Sequence, residues 1–412
     1  MRGRLRDLLS PLAQRECRLL FGAQLISGLG DWAGRLALAV VVFGRSGSAW
    51  WTAAVTLVSL VPWLGPGQLL STFADRFGRV RVMVAADLVR AGLFLVMVAP
   101  VPIWALLLLA FAAGLCVPPF QSARGAAAVD VIPPERFGKA LALFGVTSQA
   151  ELVIGYALGG GVIALLGARP TLALNAATFV VSALLLAGLR RTAASERHDG
   201  ASVGWRGVRA GAHVWRDDAL CRRALVLFVG VNMFMILPEA LIVPYADELG
   251  APDGTVGLLA ATIAIGTMLA MALTPTADGH ERLLRRAAAR TLVLAAASAA
   301  LFAVSTSVAV VGVVALCCSG AVDAIAVPTN QVVGERLPRA GRAAAMSVAG
   351  GVQYGAQTVA IAVGGAVAVP AGSAAVLAAA GAGAVAVTGW SLLRPVRVAA
   401  AWPPPAMSAR ID

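Results

Sequence analysis

Long apolar runs alternate with short polar breaks along the whole chain. Twelve runs can be drawn. The first six lie at about 18–43, 50–73, 82–99, 103–123, 140–166 and 171–189. The second six lie at about 223–245, 254–275, 289–306, 309–331, 343–368 and 373–393. Each is near the roughly 20 residues that carry an α-helix across about 30 Å of hydrocarbon. The every-second-residue alternation of a membrane barrel strand is absent. The pattern predicts an all-α membrane protein with twelve transmembrane helices.

The polar breaks are of two kinds. Those after even-numbered helices (74–81, 124–139, 190–222, 276–288 and 332–342) are charged. Those after odd-numbered helices (44–49, 100–102, 167–170, 246–253, 307–308 and 369–372) are short, and Arg45 and Arg169 are their only basic residues. Positive charge gathers on the cytoplasmic side of membrane proteins, so both termini are expected in the cytoplasm. The basic stretch Met1 to Arg18 then reads as a cytoplasmic tail leading into a retained first helix.

The break at 190–222 is the one long polar segment. It opens as a linker, R-R-T-A-A-S-E-R-H-D-G. Val208, Ala212 and Trp215 then share one helical face, with Arg206, Arg209 and Arg216 elsewhere. An amphipathic helix on the inner membrane surface fits this pattern. Its arginines could bind anionic lipid, although ordinary inside-positive charge explains them as well. The segment divides the chain into a six-helix bundle at 1–189, the linker at 190–222, and a second six-helix bundle with a tail at 223–412. An internal echo supports the division. Asp75 and Arg79 in A-D-R-F-G-R return as Asp278 and Arg282 in A-D-G-H-E-R, 203 residues later. Gly138-Lys139-Ala140 returns as Gly341-Arg342-Ala343 at the same offset. Two parallel repeats about an axis normal to the membrane are expected.

Composition narrows the function. The chain of 412 residues is 59% hydrophobic and 13% charged, where a soluble protein would carry about 25%. Net charge is +12, and Lys139 is the only lysine. Spread through loops beside apolar helices, this charge marks topology and implies no nucleic-acid partner. Arginine over lysine, with abundant Ala and Gly, suggests a GC-rich bacterial genome and a bacterial cell membrane. Cys17, Cys116, Cys221, Cys317 and Cys318 have neither metal spacing nor an external-loop position, so no disulfide framework is expected. No G-x-x-x-x-G-K-[ST] phosphate loop and no nucleophile–base constellation occurs. Neither cofactor nor enzymatic role is expected, and an ion gradient is the ordinary remaining energy source.

Ionisable residues within membrane helices are functional candidates because burying them is costly. Asp31 lies roughly 20 Å into the first helix, with Arg35 one turn on and able to pair with it. The pair could be structural or could take part in coupling. Glu151 in the fifth helix has no basic residue within a helical turn and suits reversible protonation or a cationic substrate. A protonated, hydrogen-bonded glutamate that only packs is the alternative. Asp323 in the tenth helix is similarly placed. Glu239, after Pro238 in the seventh, stands nearer the outside and suits an outer gate. Asp87 and Arg90 in the third helix fit an inner charge network with Asp75, Arg76, Gly78, Arg79 and Arg81 of the charged turn, echoed by Asp278 and Arg282. Gln121, Gln149, Asn232, Gln353, Tyr354 and Gln357 are polar cavity candidates, though such side chains also join helices. Gly155, Gly159 and Gly160 read as close-packing or hinge positions.

The turn after the second helix carries a resemblance. The major facilitator superfamily has G-x-L-A-D-R-x-G-R-+-+ at this place, and Ala74, Asp75, Arg76, Gly78, Arg79 and Arg81 match it. Ser71, Phe73 and Val80 depart from it. The chain is similar in particular to the bacterial branch containing macrolide and enterobactin exporters. The segments that carry this likeness are Phe21 to Trp32, Pro118 to Gly125, V-I-P-P-E-R at 131–136, Leu174 to Phe179, and 330–342. The resemblance implies two six-helix bundles around a central cavity, with the charged turn latching the inner face in one state. Antiporters of the family often carry G-x-x-x-G-P-x-x-G-G in helix 5 and an arginine in helix 4. Here Tyr156 and Glu151 replace the proline and the earlier glycine, and no charge lies between Ile103 and Gln121.

The expected function is proton-coupled efflux of a small apolar or amphipathic compound by alternating access, by a monomer in the bilayer. Its partners are the substrate, protons and lipid. Uptake or uniport of a metabolite is the rival, and a non-transporting membrane sensor is a more distant one.

Overall fold

The computed structural model describes residues 10–67, 70, 77–132, 134–189, 215, 218–251, 256–272, 280–304, 309–322, 325, 328–329, 332 and 339–393. Among the described residues there are helices and no strand. In the first part of the chain α1 spans Arg15–Ser46, α2 Ala49–Leu60, α3 Arg79–Met97, α4 Ile103–Leu115, α5 Val117–Val131, α6 Pro134–Leu166 and α7 Ala168–Ala187. In the second part α8 spans Ala219–Met235, α9 Leu237–Ala240, α10 Ile242–Glu248, α11 Val256–Ala272, α12 His280–Val304, α13 Ala309–Val322, α14 Arg339–Ala371 and α15 Ser373–Leu393. Most of the amphipathic helix predicted at the end of the linker falls outside the described residues. Its Trp215 is buried in a cluster with Leu220, Leu283 and Val332.

Prolines explain where predicted spans break into pieces. Proline lacks the amide donor and its ring clashes with the carbonyl one turn back. Pro62 turns the end of α2 into the 3-10 segment Val61–Leu64. The start of α5 carries proline, and the fourth span bends at Cys116 between α4 and α5. Pro238 and Pro244 divide the seventh span into α8, α9 and α10.

Some predicted ends move. The fourth apolar run stops near 123, yet α5 continues to Val131, so Arg124 belongs to a helix and not to a loop. α6 and α12 begin at Pro134 and His280, before the apolar runs at 140 and 289. Hydrophobicity marks where a helix meets lipid, while its hydrogen bonds continue for a turn or two beyond. Among the described residues seven helices are long and apolar enough to cross a bilayer, and three shorter apolar helices stand beside them. Leu108, Leu165, Leu184, Val293 and Leu393 are each more than half exposed. Such an apolar surface suits hydrocarbon, and the chain is a multi-pass membrane protein.

Packing repeats between the two parts. α1 packs on α7 as α8 packs on α15, and α3 packs on α7 as α12 packs on α15. α2 meets α4 as α11 meets α13. The two main contacts between the parts form a matching pair, α6 with α11 and α14 with α2. Connections repeat as well. Gly47 (φ 57°) follows α1 and Gly250 (φ 66°) follows α10, each in the left-handed region that glycine enters without a Cβ clash. They stand 203 residues apart, the offset of the sequence echoes.

We call the face where α1 begins and α15 ends the basal face, and the opposite one distal. The inter-part seams lie toward the distal face and are built from small residues. A Cβ on Gly160 would strike the Gly257 backbone, and one on Gly365 would stand 2.7 Å from the Ala53 Cβ.

Candidate functional site

The α1 stretch from Gly28 to Gly34 lets its neighbours come unusually close. A side chain at Gly28 would collide with the Glu151 carboxylate, and one at Gly30 or Gly34 with Asn175 of α7. The polar residues on this helix therefore meet groups on α3, α6 and α7. Gly155, Gly159 and Gly160 of α6 do the same work from the other side. Added Cβ atoms there would meet Trp32, Ala33 and Gly257 respectively.

Asp31 does not take Arg35 as its partner. It pairs with Arg90 of α3, whose guanidinium also reaches Asp87 Oδ1 at 3.5 Å. Arg90 stacks over the Phe179 ring, 3.9 Å from its centroid. Asp87 and Arg90 thus stand deep in the bundle beside Asp31, not in a network at the inner surface. Arg90 lies about 16 Å along α3 from Arg79, at 1.5 Å per residue. A partner one turn away on the same helix loses here to one on a facing helix.

Arg35 is consequently turned the other way. It lies over the Trp32 ring, 4.9 Å from its centroid, and faces Glu239 of α9 together with Tyr156 and Tyr354. The Tyr156 hydroxyl faces the Glu239 carboxylate. Glu239 is partly buried. It lines a cavity between the two parts of the chain.

Two hollows meet at this level. The central cavity, about 290 Å³, is lined by residues of both parts, among them Arg35, Ser59, Trp63, Tyr156, Glu239, Gln353, Tyr354 and Gln357. The second, about 270 Å³, lies within the first part and is lined by Gln24, Asp31, Arg35, Arg90, Gln121, Arg124, Ser148 and Glu151. Trp32, Arg35 and Trp63 border both. Trp63 stacks on Tyr354 across the parts, with centroids 5.5 Å apart and planes 26° from parallel.

Glu151 is buried in the second hollow. The Gln24 amide donates to Ser148 Oγ at 3.0 Å and also faces the Glu151 carboxyl group. Glu151 has a cation after all, because Arg124 acts on it from α5. The arginine missing from the middle of the fourth span is supplied just past the end of its apolar run.

Among the polar candidates, Gln121 lines the second hollow, and Gln353, Tyr354 and Gln357 line the central cavity. Asn232 lines neither. It anchors the two glutamines, accepting from Gln353 through its side chain and from Gln357 through its carbonyl, each at 3.5 Å. Gln149 belongs to α6, with its side chain outside the described residues. Asp75, Arg76, Asp278 and Asp323 also lie outside them. Of the charged turn, Gly78 caps α3, Arg79 donates to the Ala126 carbonyl at 3.0 Å, and Arg81 is exposed, as is Arg282 on α12.

The sequence reading passed over Trp63, Tyr156 as a group facing Glu239, and Arg124. The aromatic residues offered one signal, tryptophan beside proline inside an apolar run (V-P-W-L). Among the described residues no group of acids, histidines and cysteines could hold a metal ion.

The sequence profile of the Major Facilitator Superfamily matches residues 20–360. The chain belongs to that superfamily. Curated relatives include the uncharacterized MFS-type transporter YfiS of Bacillus subtilis (strain 168). It is 26% identical over 181 residues, or 44% of this chain and 43% of that protein. The multidrug efflux pump Tap of Mycolicibacterium fortuitum is 27% identical over 272 residues, 61% of this chain and 64% of the pump. Tap of Mycobacterium tuberculosis (strain ATCC 25618 / H37Rv) is 31% identical over 196 residues, 44% and 45% of the two chains. The chain thus spans less than two thirds of these relatives' length. Solved structures of superfamily members share its fold. The nucleoside transporter NupG has a TM-score of 0.71 at 16% identity, covering 92% of this chain and 98% of its own. A bacterial homologue of the iron transporter ferroportin in an inward-facing state has a TM-score of 0.69 at 16% identity, covering 92% of this chain and 99% of its own.

Proposed function

We propose that this superfamily member is a secondary active transporter that exports a small amphipathic compound in exchange for protons. Both termini are cytoplasmic in this reading, so the basal face is the inner one. Residues before 190 and after 222 act as two bodies that rock about the α2–α14 and α6–α11 seams. Similarity to the Tap pumps favours an amphipathic substrate.

The observation that carries the reading is the adjacency of the two hollows. A cavity between the parts, with aromatic walls and one acid, adjoins a polar hollow holding Asp31, Arg90, Arg124 and Glu151. Carboxyl groups buried beside a substrate-sized space are the means by which a carrier exchanges protons for cargo. Arg124 also removes one objection to antiport, the apparent lack of charge in the fourth span.

The test uses the full chain in oriented proteoliposomes with a pH gradient imposed across them. A panel of amphipathic dyes is offered on the basal side. Accumulation that follows the gradient and stops when an ionophore collapses it is expected. Dye flux that persists unchanged after collapse refutes proton coupling, and flux only toward the basal face refutes export.

A further inference from the structure

The buried charges around the two hollows do not balance. Among the described residues Asp31, Asp87, Glu151 and Glu239 face Arg35, Arg90 and Arg124. Glu151 shares the second hollow with Arg124, while Asp31 and Asp87 share Arg90 as ion pairs. Arg35 is turned toward Glu239. The excess negative charge then rests on the Asp31–Asp87 pair. Asp87 Oδ2 is buried without a hydrogen-bond partner, as is Glu151 Oε1; of the two sites, only at Asp31 and Asp87 do two carboxyl groups share one guanidinium.

Arg35 can move that excess. It stands four residues after Asp31 on α1, the spacing at which helical side chains meet. It borders the central cavity, the second hollow and a small cleft that also holds Asp31 and Arg90. With Arg35 turned to Glu239, one of Asp31 and Asp87 needs a proton. With Arg35 swung onto Asp31, both aspartates are matched and Glu239 is left bare in a cavity walled by Trp32, Trp63, Tyr156 and Tyr354. A carboxylate among aromatic faces fits an organic cation.

We infer that Glu239 and its aromatic walls form a site for an aromatic organic monocation, and that Arg35 couples this site to a proton held on the Asp31–Asp87 pair. The cation takes Glu239, Arg35 turns one helical turn to Asp31, and the proton there leaves through the second hollow. One charge enters the buried region and one leaves it, so neither step strands an unpaired buried charge. The proton and the cargo occupy different carboxyl groups and compete through one arginine. This rests on the export reading above and adds to it a substrate class and the residues of exchange.

The groups facing each partner are few. Around Glu239 they are Arg35, Tyr156 and, next to Arg35, Tyr354. The parts of α2, α8, α11 and α15 near Glu239 bring no ionisable residue. Among the described residues, around the Asp31–Asp87 pair they are Arg35, Arg90, Cys116, Glu151 and Arg124.

The test is equilibrium binding to the purified full chain in lipid nanodiscs. The probe is phenyltrimethylammonium, which cannot titrate, with tert-butylbenzene as its uncharged isostere. Between about pH 6 and about pH 8, where neither the probe nor arginine titrates, wild-type affinity for the cation should rise. Affinity for the isostere should stay flat. Glu239→Gln should weaken the cation by about tenfold or more and leave the isostere unchanged. Asp31→Asn touches no part of the cation site, yet it removes the place Arg35 retreats to. It should weaken the cation and flatten its pH profile, while Arg35→Gln should flatten the profile and keep or tighten binding. Cation binding untouched by Glu239→Gln overturns the site. A pH profile unchanged in Asp31→Asn or in Arg35→Gln overturns the exchange. These outcomes are separable from failure of the export reading. Glu239-dependent cation binding without gradient-driven flux sinks export alone, and gradient-driven flux with binding indifferent to Glu239 sinks this proposal alone.

Discussion

Gly160→Ala should open the distal side of the protein. A methyl group there would stand 2.8 Å from the Gly257 amide nitrogen and closer still to its Cα. Carbon contacts settle at about 3.5–4.0 Å, so α6 and α11 must part by about 1 Å. Both opposing atoms are backbone, which cannot rotate away as a side chain can. Overpacking of this kind costs about 1–3 kcal/mol. The contact joins the two parts of the chain, so a state in which these helices have separated does not incur it. The whole cost therefore enters the equilibrium between distal-closed and distal-open states, a shift of roughly 5–150-fold. A cysteine at Ala39, which lines the central cavity, reports on the opening. The assay labels Ala39→Cys with a membrane-impermeant thiol reagent on the distal side of oriented vesicles, with the five native cysteines replaced by serine. Adding Gly160→Ala should raise the labelling rate by a factor in that range. The control is Gly381→Ala, whose methyl would stand 2.8 Å from the Ala299 nitrogen, inside the α12–α15 pair. That contact is made in both states, so stability should fall and labelling should not change. Equal labelling with and without Gly160→Ala, in folded protein, refutes the idea that this seam closes the distal side.

Three further outcomes follow from the same geometry. Arg90→Gln leaves two carboxyl groups without their shared cation and should cost about 3–5 kcal/mol, seen as a lower thermal midpoint in detergent. Adding Asp31→Asn and Asp87→Asn should restore most of the loss, and a triple variant no better than the single one contradicts the pairing. Glu248 accepts from the backbone amides of Ser373 and Ala374 at the start of α15. Glu248→Ala should cost about 1 kcal/mol and speed hydrogen exchange at those two amides; unchanged exchange would deny the cap. Trp63→Ala removes the ring that stacks on Tyr354 and borders both hollows. Labelling of Ala39→Cys from the basal side should then quicken several-fold, and an unchanged rate would mean that the ring does not divide them.

The fold could be read from the chain because the bilayer allows so few answers. Every backbone polar group in hydrocarbon must be satisfied within its own helix, so run length and arginine placement suffice to draw the helices. Proline breaks within a span could not be drawn that way. An apolar run interrupted at Pro238 or Pro244 keeps the hydropathy of a continuous helix. The site was legible only as a set of buried charges. Asp31, Glu151 and Glu239 were found because charge is scarce in such a sequence. Asp31 was paired with Arg35, and Glu151 and Glu239 with nothing, because spacing along one helix reveals neighbours on that helix and nothing of what a facing helix brings. Arg90 outcompetes Arg35 for Asp31 through the glycine-permitted approach of neighbouring helices to α1. Arg124 was set down as a loop residue because it lies just past the last apolar residue of its span.

Charge and seam are divided unevenly between the two parts of the chain. Around the hollows, the described part before residue 190 holds three arginines and three acids, whereas the part after it contributes Glu239, two glutamines and a tyrosine. The seams between the parts are the reverse, closest where uncharged small residues meet, at Gly160 with Gly257 and at Gly365 with Ala53. A seam of small residues can part without stranding a charge in hydrocarbon, so separating the parts costs mainly dispersion and packing. The polar contact that crosses between the parts at mid-depth joins Glu239 to Tyr156 and Arg35. Loading the cavity with a cation would replace that link with the cargo itself. The step that binds cargo would then also remove the charged tie holding the parts together at that depth. Rocking would become easier with the site filled and Asp31 paired than with the site empty, which is what an exchanger needs to avoid cycling unloaded.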